Sequence, residues 1–287
     1  MSIYSYVLKR NEDGAWTGVP RFDITLRRAL PGLISVTACP GALSAEDRVI
    51  ADNHLSCDVP ADVRTIVVHH GCARTHYDRD PYWRTTETQK AVQFQTSMFE
   101  LPNRLYVAPS AWVAEQFEEV RTKAKALREI RNSLIPHWVE YWPLKRAKQS
   151  RPVIIGDWRD WNKGNAAAKR LAQHCPQWEF RALSFKTAEE KIRQYSEASL
   201  YLCLSLSEGA PYAVADAEAF ELPIVTTDVG NYREFSDCEV ISWRARDNAA
   251  VIAGAIERKL RAGRNKGSFY QTYSFESWRQ AWENVIK

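Results

Sequence analysis

The sequence predicts an α/β protein made of two doubly wound domains, each a parallel sheet with helices on both faces. Three observations predict it. Short β-branched and aromatic runs alternate with longer helical patterns along the chain, as strands and crossover helices of parallel sheets do. A basic, proline-bounded stretch at residues 143–152, Pro-Leu-Lys-Arg-Ala-Lys-Gln-Ser-Arg-Pro, interrupts that alternation, which then restarts. The chain of 287 residues is long enough for two domains of ordinary size.

In order, residues 3–8 read as a strand and are followed by a Gly-containing loop, 13–18. Residues 19–30 read as a helix that Pro31-Gly32 ends. Residues 33–38, 48–51 and 64–69 read as strands, 85–99 as a helix and 104–108 as a strand. Ser110 is placed to cap a helix over 111–125, and 133–136 is a short apolar run. Beyond the linker, strands are expected at 153–155, 178–183, 200–206 and 224–227. Helices are expected at 164–174, 188–197, 213–220, 249–261 and 275–286.

Composition narrows the function classes. Hydrophobic residues at 45% and charged residues at 26% exclude a disordered or fibrous chain. A net charge of +4 falls well short of a dedicated nucleic-acid neutraliser and suits an anionic substrate or surface. The six cysteines occur singly, without a CxxC pair, which reads as buried reduced thiols rather than a zinc site. Most of the eleven tryptophans are expected in cores. The N-terminus lacks a long apolar segment and no run reaches the roughly 18 apolar residues of a membrane span, so a cytoplasmic protein, at most peripheral to a membrane, is expected.

The densest chemical signal lies between Leu204 and Gly230. An apolar strand ends at Ser207, Glu208 and Gly209 follow, and a helix opens. The carboxyl edge of a parallel sheet is where ligands bind, and a helix N-terminus offers N–H groups to an anion. Gly209 lets a backbone approach closely. Asp216 lies eight residues after Glu208, about two turns, so both carboxylates can face one cleft. Carboxylates accept hydrogen bonds, and a pair suits a polyhydroxylated ligand such as a sugar with a ribose.

This stretch resembles the large retaining GT-B glycosyltransferase family, family 4, whose signature is an acidic pair separated by seven residues. Glu208, Gly209, Ala217, Pro223, Val225 and Gly230 match the pattern; Asp216 replaces the usual longer acid, and Glu221 the usual glycine. Residues 154–164 resemble the family's strand–Gly-Arg–loop–Lys-Gly element, which implies that Arg159 and Lys163 clamp the donor diphosphate. Residues 65–71, Thr-Ile-Val-Val-His-His-Gly, resemble a strand ending in a histidine that faces the donor sugar or its phosphate. His70 fits that place, with His69 the competing register. The loop holding Gly14 and Gly18 resembles the loop over the donor phosphates and acceptor. Residues 106–113, 134–139 and 273–278 resemble further family segments in the same order.

The resemblance implies the GT-B fold, two Rossmann-like doubly wound domains facing a central cleft. Residues 1–145 form the acceptor-side domain, 146–272 the nucleotide-sugar donor domain, and 273–287 a helix crossing back to the first. It implies retaining transfer of a hexose from a nucleotide sugar, a UDP-sugar, to a hydroxyl of a saccharide or lipid-linked acceptor. No cofactor or metal is expected beyond the donor. His70, Arg159, Lys163 and Glu208 would carry the reaction; Gly14, Gly18, Gly209, Ala210, Pro211, Tyr212 and Asp216 would help bind the donor, with Asp216 on the ribose. Two alternatives stand beside it: a glycosyltransferase acting on a modified, hydroxymethylated DNA base, as some phage enzymes do, and a non-catalytic nucleotide- or sugar-binding protein on a decayed fold. The basic run with Arg121, Lys123, Lys125 and Arg128 reads as a solvated helix face or a contact with an anionic surface. Asp78-Arg79-Asp80 matches a D-x-D metal motif but does not end an apolar strand.

Overall fold

The computed structural model describes residues 1–7, 18–121, 132–136, 139–140, 149–267 and 269–287. Gly14, Lys123, Lys125, Arg128 and most of the expected linker lie outside the described residues. The chain divides into two compact units, Met1–His137 with Tyr273–Lys287, and Trp138–Thr272. All six cysteines are free thiols. Among the described residues, no helix is long and apolar enough to cross a membrane.

The first unit holds strands β1 (Ile3–Tyr6), β2 (Ile34–Val36), β3 (Arg48–Asp52), β4 (Arg64–Val68), β5 (Arg104–Ala108) and β6 (Asn132–Leu134). Helices α1 (Gly18–Ala29), α2 (Ala73–Arg79), α3 (Thr86–Ser97) and α4 (Ala111–Arg121) connect them. The sheet runs β2-β1-β3-β4-β5-β6, with every pair parallel. The winding reverses between β1 and β3, the kind of switch point at which open parallel sheets bind ligands. Ser110 caps α4 as its sequence suggests, accepting from the Val113 N–H at 3.2 Å. Helix α2 was not legible: Ala-Arg-Thr-His-Tyr-Asp-Arg has no apolar period, and tertiary contacts rather than amphipathicity hold it.

The second unit holds strands β7 (Val153–Gly156), β8 (Glu179–Ala182), β9 (Leu200–Cys203), β10 (Ile224–Thr227) and β11 (Cys238–Ile241). Its helices are α5 (Asn165–His174), α6 (Ala188–Glu197), α7 (Tyr212–Ala219), α8 (Ala249–Ala262) and α9 (Phe269–Thr272). The parallel sheet runs β11-β10-β9-β7-β8. Every residue of β7, β9 and β10 is buried, as strands covered on both faces require, and their side chains form the core with Leu171 and Ile256. Edge strands β8 and β11 carry charges and stay partly exposed. Strand β11 escaped the sequence reading, because Cys-Glu-Val-Ile is too short and mixed to stand out. Strand β9 stops at Cys203 rather than 206, since residues 204–208 turn away to build the site.

The last helix, α10 (Phe275–Ile286), belongs to the first unit. Ser274 caps it. Trp278 and Trp282 set their rings edge-on against Phe22 of α1, at 6.2 and 5.7 Å between centroids. Arg64, at the start of β4, closes the other end. Its guanidinium donates to the carbonyls of Lys287 (2.8 Å) and Val285 (3.3 Å), where a helix carries partial negative charge.

Candidate active site

The winding of the second sheet reverses between β7 and β9. Two loops leave the carboxyl ends of these adjacent strands, residues 157–164 and 204–211. A third, residues 228–230, leaves β10 beside them.

The first two loops bring Lys163 and Glu208 together: the Lys163 ammonium donates to Glu208 Oε1. The same Glu208 oxygen accepts from Ser205 Oγ at 2.6 Å. Asp157 Oδ2 lies 3.9 Å from Lys163 Nζ. Burial is the largest influence on Lys163 and pulls its pKa down. Glu208 and Asp157 together outweigh it and hold the pKa above the ordinary lysine value, so the cation persists at neutral pH. Asp157 also chelates Arg159, accepting from Nε at 2.6 Å and Nη2 at 2.9 Å. Arg159 remains more than half exposed, on the rim of the cluster rather than at its centre.

Residues far apart in sequence weld the two loops. The Asn162 amide donates to Ser207 O (3.1 Å) and accepts from Ser207 N–H (3.2 Å), while Asn162 O accepts from Leu206 N–H. Buried Arg246 donates to the carbonyls of Trp161, Asn162 and Leu204 and lies over the Trp161 ring. Gly164 opens α5 at φ +84°, and a Cβ there would come within 2.6 Å of Leu204 Cβ. Gly230 at φ +67° closes the third loop, where a Cβ would meet Glu208 Cβ at 2.9 Å. The result is a cluster whose two loops are fixed to one another by hydrogen bonds and close backbone packing.

Gly209, Ala210, Pro211 and Tyr212 form the turn from Glu208 into α7. Pro211 occupies the cap position with extended backbone, and Ala210 and Tyr212 are buried. One face further along, Asp216 is engaged by Lys191 of α6 at 2.7 Å, both side chains about 3% exposed. Asp216 is therefore held by a buried cation of its own rather than by the Lys163–Glu208 cluster. Lys191 carried no sequence signal.

Helix α7 ends in a Schellman turn. Leu222 N–H donates to Ala217 O and Glu221 N–H to Glu218 O, with Glu221 left-handed at φ +54°. The glycine usual in the resembling pattern is thus replaced without loss of the turn, at the cost of backbone strain. Glu221→Gly should stabilise the protein by about 0.5 kcal/mol, less what the exposed Arg264 ion pair contributes. Urea denaturation checks it.

Glu218, on the same helix, is buried with Oε2 accepting from Phe269 N–H at 2.9 Å. Burial pushes its pKa up to about 7; the Phe269 hydrogen bond opposes this and Asp237 adds to it. The folded value lies above the ordinary 4.5, so the native state holds a proton that the unfolded chain loses first. Stability should fall as pH rises from 4.5 through 7 and stay lower above. Glu218→Gln should therefore stabilise the protein by about 1–3 kcal/mol at alkaline pH and by almost nothing at acid pH. Denaturation curves on either side of that window read the difference.

In the first unit, the register at the end of β4 is resolved. His69 points into an aromatic core, stacked 3.6 Å from the Phe117 centroid and 5.3 Å from that of Tyr106. Burial pushes its pKa down to about 3, with His70 adding to the effect, so it is a neutral core residue. His70 instead shares a hydrogen bond between Nε2 and Asp52 Oδ1 at 2.8 Å and packs edge-on against Phe22. Asp52 ends β3 next to the switch point of this sheet, and its buried carboxylate orients the imidazole. Gly18 begins α1 at φ +41° with open space around it. Arg121, at the end of α4, pairs with Glu118.

Comparison with known proteins agrees with this fold. The family model for glycosyl transferases group 1 matches residues 111–261, just over half of the chain. Sucrose-phosphate synthase from Thermosynechococcus elongatus superposes with a TM-score of 0.68 at 12% identity, covering 100% of this chain and 95% of that one. WaaG, a glycosyltransferase involved in lipopolysaccharide biosynthesis, gives 0.65 at 11%, covering 99% of each. A UDP-forming trehalose-phosphate synthase from Burkholderia xenovorans gives 0.56 at 10%, covering 85% of this chain and 74% of that one. No curated protein sequence matches the chain significantly. At such identities the structural likeness establishes the GT-B fold alone, while the family match extends over the loops that hold Lys163 and Glu208. The chain belongs to the group 1 glycosyltransferase family.

Proposed function

We propose that this protein is a retaining hexosyltransferase that uses a UDP-sugar and transfers to a hydroxyl of a saccharide or lipid-linked acceptor. The observation that carries the reading is the meeting of Lys163 and Glu208 at the switch point of the second sheet. Lys163 is a buried-stem cation suited to the departing diphosphate, and Glu208 is an acceptor suited to sugar hydroxyls. The UDP assignment draws on the resemblance and on the UDP-forming synthase among the similar structures.

In the reaction, the bond from the anomeric carbon to the phosphate oxygen breaks, and the nucleoside diphosphate leaves with the electron pair. The acceptor oxygen bonds to that carbon from the same face, and its proton passes to a leaving phosphate oxygen. Lys163, with Arg159 on the rim, supplies the positive charge, and no metal is required. The ribose falls to Asp216 on the resemblance alone, since Lys191 holds that carboxylate buried. His70, fixed by Asp52, meets a substrate hydroxyl.

A thermal-shift series of UDP-, GDP- and ADP-sugars tests the donor, since a ligand at about 100 times its Kd adds about 2.7 kcal/mol of stability. UDP-sugars should give the largest shift. NMR of the transferred sugar then tests the stereochemistry: clean inversion of the anomeric centre would refute retention. Binding of UDP with neither transfer nor donor hydrolysis would make the protein a binding module.

A further inference from the structure

Ser205 lies between the end of β9 and Glu208 and is 2% exposed. Its backbone and its side chain are both fixed. Buried Thr227, the last residue of β10, donates from Oγ1 to the Ser205 carbonyl at 2.7 Å. The Cys203 thiol donates to Ser205 Oγ at 3.6 Å. Burial, the largest influence, raises the Cys203 pKa above the ordinary thiol value, with Glu208 adding to it, so the sulfur keeps its proton. The Ser205 hydroxyl has one proton of its own, and it gives that proton to Glu208 Oε1 at 2.6 Å. A relay of thiol, hydroxyl and carboxylate thus runs from the sheet into the site, and each bond polarises the next.

Glu208 is held at both ends of its side chain. The Gly230 backbone packs against it, since a Cβ at Gly230 would lie 2.9 Å from Glu208 Cβ. Oε1 accepts from both Ser205 and Lys163. Among the described residues, Oε2 accepts no hydrogen bond. A carboxylate offers about four lone-pair positions, so Oε1 is filled and the remaining capacity lies on Oε2. The two ties on Oε1 are not equivalent. Lys163 also faces Asp157 at 3.9 Å, and in the reaction proposed above its charge serves the leaving diphosphate. The Ser205 hydroxyl has no second task, so it keeps the carboxylate oriented while the ammonium is drawn toward phosphate.

We propose that Ser205 is a positioning residue for the donor sugar: tied to Glu208 Oε1, it turns Oε2 onto a sugar hydroxyl. The proposal rests on the glycosyltransferase reading above. Ser205 carried no signal of its own, because Leu204-Ser205-Leu206-Ser207 alternates as a strand would and reads as a continuation of one. Such a tie acts on ligands that carry the sugar and is silent for UDP, which ends at the phosphate.

The test uses the whole chain, with UDP and the UDP-sugars of glucose, galactose and N-acetylglucosamine as probes and calorimetric titration as the readout. At least one UDP-sugar should bind the wild type. Ser205→Ala should weaken that UDP-sugar about tenfold, the loss expected of one hydrogen bond to a charged group, and leave UDP within about twofold. In a Glu208→Ala background, with no carboxylate left to position, adding Ser205→Ala should change UDP-sugar affinity by less than about twofold. Near-ultraviolet circular dichroism checks the fold. Should Ser205→Ala fail to fold, Ser205→Cys, which leaves only a weak donor, takes its place with a loss of at least about threefold. Unchanged UDP-sugar affinity in the folded variant overturns the proposal. So does an equal loss for UDP and UDP-sugar, which would make Ser205 purely structural, and so does a loss of about tenfold that persists in Glu208→Ala. Each of these outcomes leaves the glycosyltransferase reading standing. A wild type that binds none of these UDP-sugars sinks that reading and the role of Ser205 with it.

Discussion

Lys163→Ala should lower kcat for sugar transfer by two to three orders of magnitude, about 3–4 kcal/mol of transition-state stabilisation. The reasoning starts from charge. When the glycosidic bond breaks, negative charge grows on the leaving diphosphate, and Lys163 is the cation held at the meeting point of the two loops. Its protonation is secured by Glu208 and Asp157. Removing it takes away that stabilisation and leaves Glu208 beside Asp157 without the cation that balances them. The fold should survive, because Asn162, Arg246 and Gly164 hold the two loops together independently of Lys163. Two readouts check this: UDP release from a UDP-sugar, and loss of the UDP-induced thermal shift at unchanged circular dichroism. Full activity in a folded Lys163→Ala protein would remove the central cation from the mechanism. Lys163→Arg keeps the charge but not the compact ammonium, and should recover only part of the rate.

Lys191→Met should be the most destabilising of the substitutions considered, by about 3–5 kcal/mol. It leaves Asp216, itself about 3% exposed, as a buried carboxylate stripped of its cation. The double variant Lys191→Met/Asp216→Leu should regain most of that stability, because two apolar side chains need no desolvation of charge. The pair thereby separates structure from function. If Asp216 serves the ribose of the donor, the double variant folds but loses most of the UDP-induced stabilisation. If the ion pair is only architectural, the double variant binds UDP as the wild type does. Thermal melts with and without UDP on the single and double variants give both answers.

How much was legible beforehand depends on sequence distance. Lys163 and Glu208 each sit just after a strand and next to a glycine, so local pattern pointed to both. Their partners came from elsewhere: Arg246 lies 84 positions from Asn162, and Asp52 lies 18 positions from His70. Neither residue stands in a recognisable pattern of its own. The pairing of Asp216 with Lys191 was hidden for the same reason, since a lysine in an exposed-looking helix of charged residues gives no sign that it is buried. The choice between His69 and His70 needed the sheet, because neighbouring residues at a strand end point to opposite faces and only packing shows which face is the core.

Taken alone, the sequence determined the class of fold and the edge of the sheet where chemistry belongs. Strand and helix periodicities, glycines and caps are local, and their physics acts within a few residues. Tertiary structure alone decided which charges meet, which are buried and which residue holds another in place. Those outcomes depend on the order of strands in a sheet, which brings distant loops side by side. They depend also on the low-dielectric surroundings that make each buried charge require a partner.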